Sequence, residues 1–288
     1  MKPQLLRVPL AAECSFSIRR DVVLHFYNRW HYHPEIELVY IEQGTGTQFV
    51  GDSIQSFGPG DVLLIGANLP HYWRCDDMYF ENREGLLAQA TVLHFRDDFW
   101  GDQFLRLPEN RSLFSLLQKA RQGIRLHGPG KELVQDQMKR MLPAAGTGRI
   151  VHLLQILSLI AQSADQELLA ATDYPTDFNE ADTDRINKIY AYSLAHFQRK
   201  ITLKEIAAVA HISPHSFCRY FKSRSRKPYS QFLLELRIQH ACKLLMEGKL
   251  PIAQVCYESG FNQFSGFNKY FKRITGKSPL QYQKTVCN

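Results

Sequence analysis

No stretch of this 288-residue sequence is apolar for long enough to cross a bilayer. The most apolar one, Ile150 to Ala161, carries His152 and Gln155 and stops well short of the roughly 18 residues a spanning helix needs. Near the N-terminus, Pro3, Arg7, Pro9 and Glu13 interrupt the apolar residues before a secretory core can form, so a cytoplasmic protein with no membrane partner is expected. The six cysteines (Cys14, Cys75, Cys218, Cys242, Cys256, Cys287) include no CxxC pair and no compact framework. That spacing argues against a disulfide scaffold and against zinc-finger chemistry, and it suits a reducing compartment.

What is present is the composition of a soluble globular chain, 44% hydrophobic and 22% charged, long enough for two domains that each bury a core. The net charge of +7 conceals an asymmetry. From Thr183 onward there are 18 Lys and Arg against 5 Asp and Glu, and before it 17 against 23. A basic half joined to an acidic half points to a polyanion partner for the former and a different task for the latter.

From Val22 to Phe95 short β-rich runs (Ile36 to Ile41, Gln48 to Val50, Asp61 to Ile65, Ala90 to Phe95) alternate with Gly and Pro turns, which predicts a small sandwich or barrel. From Ser112 the periodicity is helical. Leu113, Leu116, Leu117 and Ala120 share one face, Leu133, Met138 and Met141 another, and Ile150 to Leu169 is apolar nearly all round. Such a helix is expected either inside its own domain or against a second subunit. Thr172 to Asp184, with Pro175 among Asp, Thr, Asn and Glu, has the composition of a linker.

Beyond the linker lies an internal repeat. Glu205 to Ile212 matches Gln254 to Phe261 at an offset of 49, and Phe217, Tyr220, Phe221, Lys222 and Lys227 match Phe267, Tyr270, Phe271, Lys272 and Lys277 at an offset of 50, so the second turn holds one extra residue. Tyr229 to Glu247 reads as a connecting helix ended by Gly248 and Pro251, with Phe232, Leu233, Leu236 and Leu244 as its buried side. Each unit is a short helix, a turn and a second helix opening on Ser213-Pro214 or on Asn262, which is helix-turn-helix grammar. On the second helices, Phe217, Tyr220 and Phe221, and likewise Phe264, Phe267 and Phe271, form apolar stripes. The opposite faces carry His215, Cys218, Arg219 and Lys222, and Ser265, Asn268, Lys269 and Lys272. Arg219 is the expected guanine reader and Asn268 an adenine reader, while Lys222, Arg224, Arg226, Lys227, Lys272, Arg273 and Lys277 are placed for phosphates.

The stretch from Gly260-Phe261 through Phe267, Lys269, Phe271-Lys272, Gly276, Ser278-Pro279 and Tyr282 resembles the signature of the AraC family of bacterial transcription regulators, and the likeness covers the tandem module from about Asp184 to Lys284. Two departures stand out: Arg226 occupies a place where a glycine is usual, and Cys218 is unusual on a groove-facing surface. The resemblance implies two recognition helices in successive major-groove segments of double-stranded DNA, with RNA polymerase as a further partner.

In the acidic half, His31-Tyr-His33, then Glu37, Gly44, Gly60-Asp61 and Pro70-His71 follow the spacing of cupin motifs, and the region from Arg19 to Arg96 is similar to the cupin sensor domain of AraC-type regulators, in which the ligand is often a sugar. Along a strand His31 and His33 share a face, and His31, His33, Glu37 and His71 together offer a set able to hold Zn, Fe, Mn or Ni. Three readings follow: a sensor that binds its effector through these residues or a metal, retained barrel residues that hydrogen-bond internally, and a metal-dependent cupin enzyme tethered to a DNA reader. Trp30, Tyr32, Tyr72 and Trp73 flank the histidines, and Trp73 is the first candidate to stack on an effector.

The expectation is an α+β multidomain chain: a cupin-like β-barrel over residues 1–110, a helical dimerisation segment over 111–171, a linker over 172–184 and an all-α tandem helix-turn-helix domain over 185–288. The expected function is an effector-responsive transcription activator of metabolic genes, carbohydrate utilisation among them. It is expected not to be an enzyme, to act as a homodimer through Ile150 to Leu169, and to require no cofactor, with a divalent metal as an option in the cupin pocket.

Overall fold

The computed structural model describes residues 4–6, 8, 14–81, 85–101, 103–171 and 183–286. The chain forms two compact units that divide between residues 171 and 183. Residues 172–182, most of the expected linker, lie outside the described residues. Thr183 and Asp184, expected in that linker, already belong to a helix.

In the first unit the β-rich runs become β1 (Gln4–Leu5), β2 (Phe16–Val23), β3 (His31–Tyr32), β4 (Ile36–Gln43), β5 (Gly46–Val50), β6 (Ser53–Phe57), β7 (Val62–Ile65), β8 (His71–Cys75) and β9 (Ala88–Phe95). After them come α1 (Arg111–Ala120), β10 (Ile124–Leu126), α2 (Gly128–Met141), α3 (Thr147–Gln162) and β11 (Gln166–Leu168). Instead of one continuous barrel wall there are two sheets, of order β1-β3-β8-β5-β6 and β11-β10-β7-β4-β9-β2.

Both faces of the second sheet are covered, which is why β4 is buried without a break from Ile36 to Ile41 and, apart from Glu37, is apolar over that stretch. Val39, Ile41, Leu63, Ile65 and Val92 pack toward Val50, Phe57 and Trp73 of the first sheet. Their neighbours Leu38, Tyr40, Val62, Leu64, Leu93 and Phe95 pack in one cluster with the helices.

The helices present Leu113, Leu116, Leu117 and Ala120 from α1, and Val134, Met138 and Met141 from α2. Leu133, expected on that second stripe, is 55% exposed; the i, i+4, i+7 series runs through Val134 instead. From α3 come Leu153, Ile156, Leu157 and Ile160, all fully buried within this unit. Each such side chain contributes about 1.5–3 kcal/mol by leaving water, so the main apolar face of α3 is spent on its own domain's core.

Residues 111–171 are therefore not a separate helical segment. β10 pairs with β7 (Ile124 opposite Leu64) and β11 closes on β10, while the helix expected to run from Ile150 to Leu169 ends at Gln162.

The second unit is helical: α4 (Thr183–His196), α5 (Leu203–Val209), α6 (Pro214–Ser225), α7 (Tyr229–Glu247), α8 (Ile252–Glu258), α9 (Phe264–Thr275) and α10 (Pro279–Val286). The long α7 serves both halves of the repeat. Phe232 near its start meets Phe221 and stacks on Tyr190, with ring centroids at 5.2 and 5.0 Å. Toward its end, Ile238, Ala241, Cys242 and Leu245 share a core with Val255, Cys256, Phe261, Phe267 and Phe271. Leu233 and Leu244, expected on the buried side, are half-buried, because the facing elements sit on the Leu236, Ile238 and Leu245 side.

Candidate effector site and nucleic-acid interface

In the helical unit the two turns close alike. Ile212 N donates to the Ala207 carbonyl at 3.1 Å, and Phe261 N donates to the Cys256 carbonyl at 3.1 Å, at the offset of 49 seen in the sequence. Ser213 caps α6 by accepting from Ser216 N at 3.3 Å. In the second unit the N-cap is Gln263, one residue beyond the expected Asn262, and its side chain makes no cap; the extra turn residue displaces the start of the helix.

Phe217, Phe221, Phe267 and Phe271 are fully buried, and Tyr220 is half-buried beneath the guanidinium groups of Arg185 and Arg224. Phe264, expected in the second stripe, is 42% exposed, since it stands at the first position of α9, ahead of the packed turn.

His215, Cys218, Arg219 and Lys222 are exposed on α6, and Ser265, Lys269, Lys272 and Arg273 on α9, while Asn268 is half-buried. Arg219, Lys222, Ser223 and Arg226 line one shallow depression. Arg224, placed with the phosphate-contacting residues by sequence, is half-buried over Tyr220, and Arg273 lies over Tyr270 at 4.9 Å. The face left to solvent is thus narrower than the basic residues of the sequence suggest: it is positive and polar along α6 and α9, with aromatic anchoring behind.

In the first unit the structure brings His31, His33, Glu37 and His71 together, all four buried, with one donor atom from each lying within 4.8 Å of the others. The means of convergence is local. Nδ1 of His31 donates to the Arg29 carbonyl at 2.8 Å, Nδ1 of His33 to that of Glu35 at 2.9 Å, and Nδ1 of His71 to that of Leu69 at 2.8 Å. Three imidazoles, each tied to a carbonyl two residues away, have their Nε2 atoms free for the cluster. This is how metal-binding histidines are oriented.

Nε2 of His33 lies 3.1 Å from Glu37 Oε2, and Nε2 of His71 lies 3.7 Å from the same oxygen without a hydrogen-bond partner. A buried, unpartnered nitrogen aimed at a carboxylate among two other imidazoles has the chemistry of a divalent-cation site, so the residues fit such an ion.

Electrostatics agree with a tightly coupled cluster. Burial alone would raise the Glu37 carboxyl, but the charge of His71 and the hydrogen bonds from His33 and His94 hold it well below the usual carboxylate range. Burial lowers His31 far below its ordinary value, with the neighbouring His71 adding to the effect. For His33 burial is outweighed by the hydrogen bond and charge of Glu37, and the ring is raised. A proton or a cation between His33 and Glu37 thus answers the same need.

His94 was not among the residues singled out by sequence. It stands opposite Glu37 in the β4–β9 register, and its Nε2 donates to Glu37 Oε2 at 2.7 Å. Arg19, on β2, donates through Nη1 to His94 Nδ1 at 3.2 Å, so the arginine sets the tautomer and the histidine holds the carboxylate. Alternation along Ala88 to Phe95 would have placed Ala90, Val92 and His94 on one face, but only the strand pairing shows that Glu37 is the neighbour.

A cavity of about 80 Å³ opens beside this cluster, and Glu37, His31 and His94 form part of its wall. Trp73 also lines it, against Phe57, whereas Tyr72 turns to the other face of β8 and meets Phe49.

The comparisons with known proteins divide the chain in the same way. A helix-turn-helix domain model matches residues 206–285 and a cupin domain model matches residues 10–78. Some relatives match across both halves of the chain. The "HTH-type transcriptional activator RhaS" of Shigella sonnei is 24% identical over 263 residues, covering 86% of this chain and 85% of that protein.

In both halves the chain is similar to AraC-type transcription regulators.

A second relative, the "MmsAB operon regulatory protein" of Pseudomonas aeruginosa, is 27% identical over 259 residues, 88% of this chain and 76% of that one. The "Probable transcriptional regulator LumQ" of Photobacterium leiognathi is 31% identical over 145 residues, 45% of this chain, which spans 58% of LumQ's length. The helix-turn-helix match falls in the basic half of the chain. No helix among the described residues is long and apolar enough to cross a membrane.

Proposed function

We propose that this protein is an AraC-family, cytoplasmic, sequence-specific DNA-binding transcription regulator, an activator of metabolic genes, whose cupin unit binds a small-molecule effector. The observation that carries the DNA claim is the duplicated arrangement of α6 and α9: two helices, each anchored by a buried Phe pair, each exposing a polar and basic face that begins near its N-terminus. On these faces Arg219 reads a guanine, Asn268 reads an adenine from its half-buried position, and Lys222, Lys269 and Lys272 hold phosphates, with His215, Cys218 and Ser265 facing the groove.

In the cupin unit His31, His33, Glu37 and His71 would hold a divalent metal, which supplies a Lewis-acidic attachment point for an oxygen-bearing effector. The output is regulation, not turnover: effector occupancy changes DNA engagement and recruitment of RNA polymerase. The active form is a homodimer that uses the outward side of α3.

The DNA reading is tested on sites selected from random duplexes by the purified protein. Arg219→Ala loses about 1–3 kcal/mol on the selected site through one base position and little on random DNA. Lys272→Ala weakens both alike and lowers the salt slope by about one unit. Equal losses on selected and random DNA for Arg219→Ala would remove base reading from α6.

A further inference from the structure

The cavity beside the histidine cluster has an uneven wall, and the strand register explains its polarity. Moving along the paired strands β4 and β9, Glu37 faces His94, Val39 faces Val92 and Ile41 faces Ala90. All six line the cavity, polar at one end and aliphatic from there on, with Trp73 and Phe26 completing the apolar side. The mouth lies at the edge strand β2, where Arg19 and Asp21 are partly open to solvent. Arg19 spends Nε on Asp21 and Nη1 on His94; its Nη2 has no partner among the described residues.

Size and charge narrow the ligand. The cavity is small, about 80 Å³. A hexose carries hydroxyls around its whole ring, which the aliphatic end would leave unpaired. In the wall, Asp21 and Glu37 outnumber Arg19, so an anion is disfavoured until a divalent cation on the cluster reverses the balance.

We propose that the effector is a short-chain 2-oxo- or 2-hydroxycarboxylate. Its vicinal oxygens meet the cation beside His31 and Glu37, its carboxylate accepts from Nη2 of Arg19, and its alkyl end lies against Val39, Val92 and Trp73. This rests on the reading of the cupin unit as the effector-binding half. It makes cation and carboxylate mutually dependent ligands, so each strengthens the other by the same factor.

The full chain, stripped with a chelator and reloaded with Co²⁺, is titrated with 2-oxobutanoate and, separately, with D-xylose, while the visible absorption of the cobalt and the tryptophan fluorescence are followed. Saturable changes in both signals with 2-oxobutanoate are expected, with affinity falling about tenfold or more in the stripped protein and in Arg19→Gln, a coupling within the usual range of roughly 5–150-fold. Val92→Leu shortens the aliphatic end without touching the cluster, and it should reject 2-oxobutanoate while keeping glyoxylate. That size exchange separates a binding role from a folding defect. Saturation by D-xylose in place of the acid overturns the ligand class and leaves the effector reading standing, whereas equal binding of the acid to stripped and loaded protein overturns the mutual dependence of cation and carboxylate. Failure to retain Co²⁺, with wild type no different from His33→Ala, overturns the cation-dependent site. If neither ligand changes any signal or the affinity for selected DNA, the effector reading falls with it.

Discussion

At the residue scale the tandem repeat contains its own control. Two positions of the helical unit require a left-handed backbone in both copies. In the second copy they are Gly260 (φ 81°) and Gly276 (φ 76°), and in the first they are His211 (φ 53°) and Arg226 (φ 60°). A side chain in that region costs roughly 1–2 kcal/mol, against which the unfolded-state entropy of a glycine offsets part. Arg226→Gly is therefore expected to stabilise the helical unit by up to about 1 kcal/mol, and Gly276→Ala to destabilise it by a similar amount, read as shifts of the urea midpoint of the helical signal. No shift in either variant would mean that the two turns are not equivalent. Arg226 was noticeable in the sequence as a departure from the family pattern, but only the backbone shows that it adopts the glycine conformation. Gly260 is less replaceable, because a Cβ there would lie 2.7 Å from the Phe197 carbonyl oxygen.

At the element scale the start of α5 is held by a capping box. Glu205 N donates to Thr202 Oγ1 at 3.2 Å, and Thr202 N donates to Glu205 Oε2 at 3.2 Å. Arg199 and Tyr192 donate to the same carboxylate, tying the end of α4 to α5. These hydrogen bonds, Arg199's foremost, pull the Glu205 carboxyl down to about 2 from its ordinary 4.5. A depressed carboxyl stabilises the folded state above its unfolded value and loses that contribution as the pH falls through the folded one. The stability difference between wild type and Glu205→Gln should thus be constant above about pH 5 and shrink steadily below it, measured by urea unfolding at successive pH values. A difference that stays constant down to pH 3 would show that the network does not favour the ionised carboxylate. The helices themselves were legible because a 3.6-residue period, an N-cap serine and a C-terminal glycine are local signals. Strands β2, β6 and β8 were not anticipated as strands, since Phe16–Val23 and Ser53–Phe57 do not stand out as apolar runs, and their places come from partners far away in the chain.

At the scale of the whole molecule, the helix offered for dimerisation has two sides. Leu153, Ile156, Leu157 and Ile160 are consumed by the core of the cupin unit. The outward side carries Ile150 (39% exposed), Val151 (49%), the exposed Gln155 and the half-buried Ser158, with no charged residue from 150 through 164. An uncharged helical stripe of this kind suits a second copy of the chain. The double variant Ile150→Glu, Val151→Glu should sediment as a monomer with its fold intact by circular dichroism, and should lose affinity for a two-site operator while keeping affinity for a single site. A wild type that is monomeric at micromolar concentration would end this reading.

The sequence by itself determined the two-part plan, the tandem helix-turn-helix with its offset of 49 and then 50, and four members of the buried cluster, His31, His33, Glu37 and His71. These rest on charge, period and spacing, which are readable along the chain. Tertiary structure alone decided that His94 and Arg19 complete the cluster, that Trp73 and not Tyr72 lines the cavity, that Arg224 leaves the groove for Tyr220, and that α3 faces its own core. For the histidine cluster the physical reason is register. Which face of a strand or helix is covered depends on register with an element 57 or 75 residues distant, and no local pattern encodes that pairing.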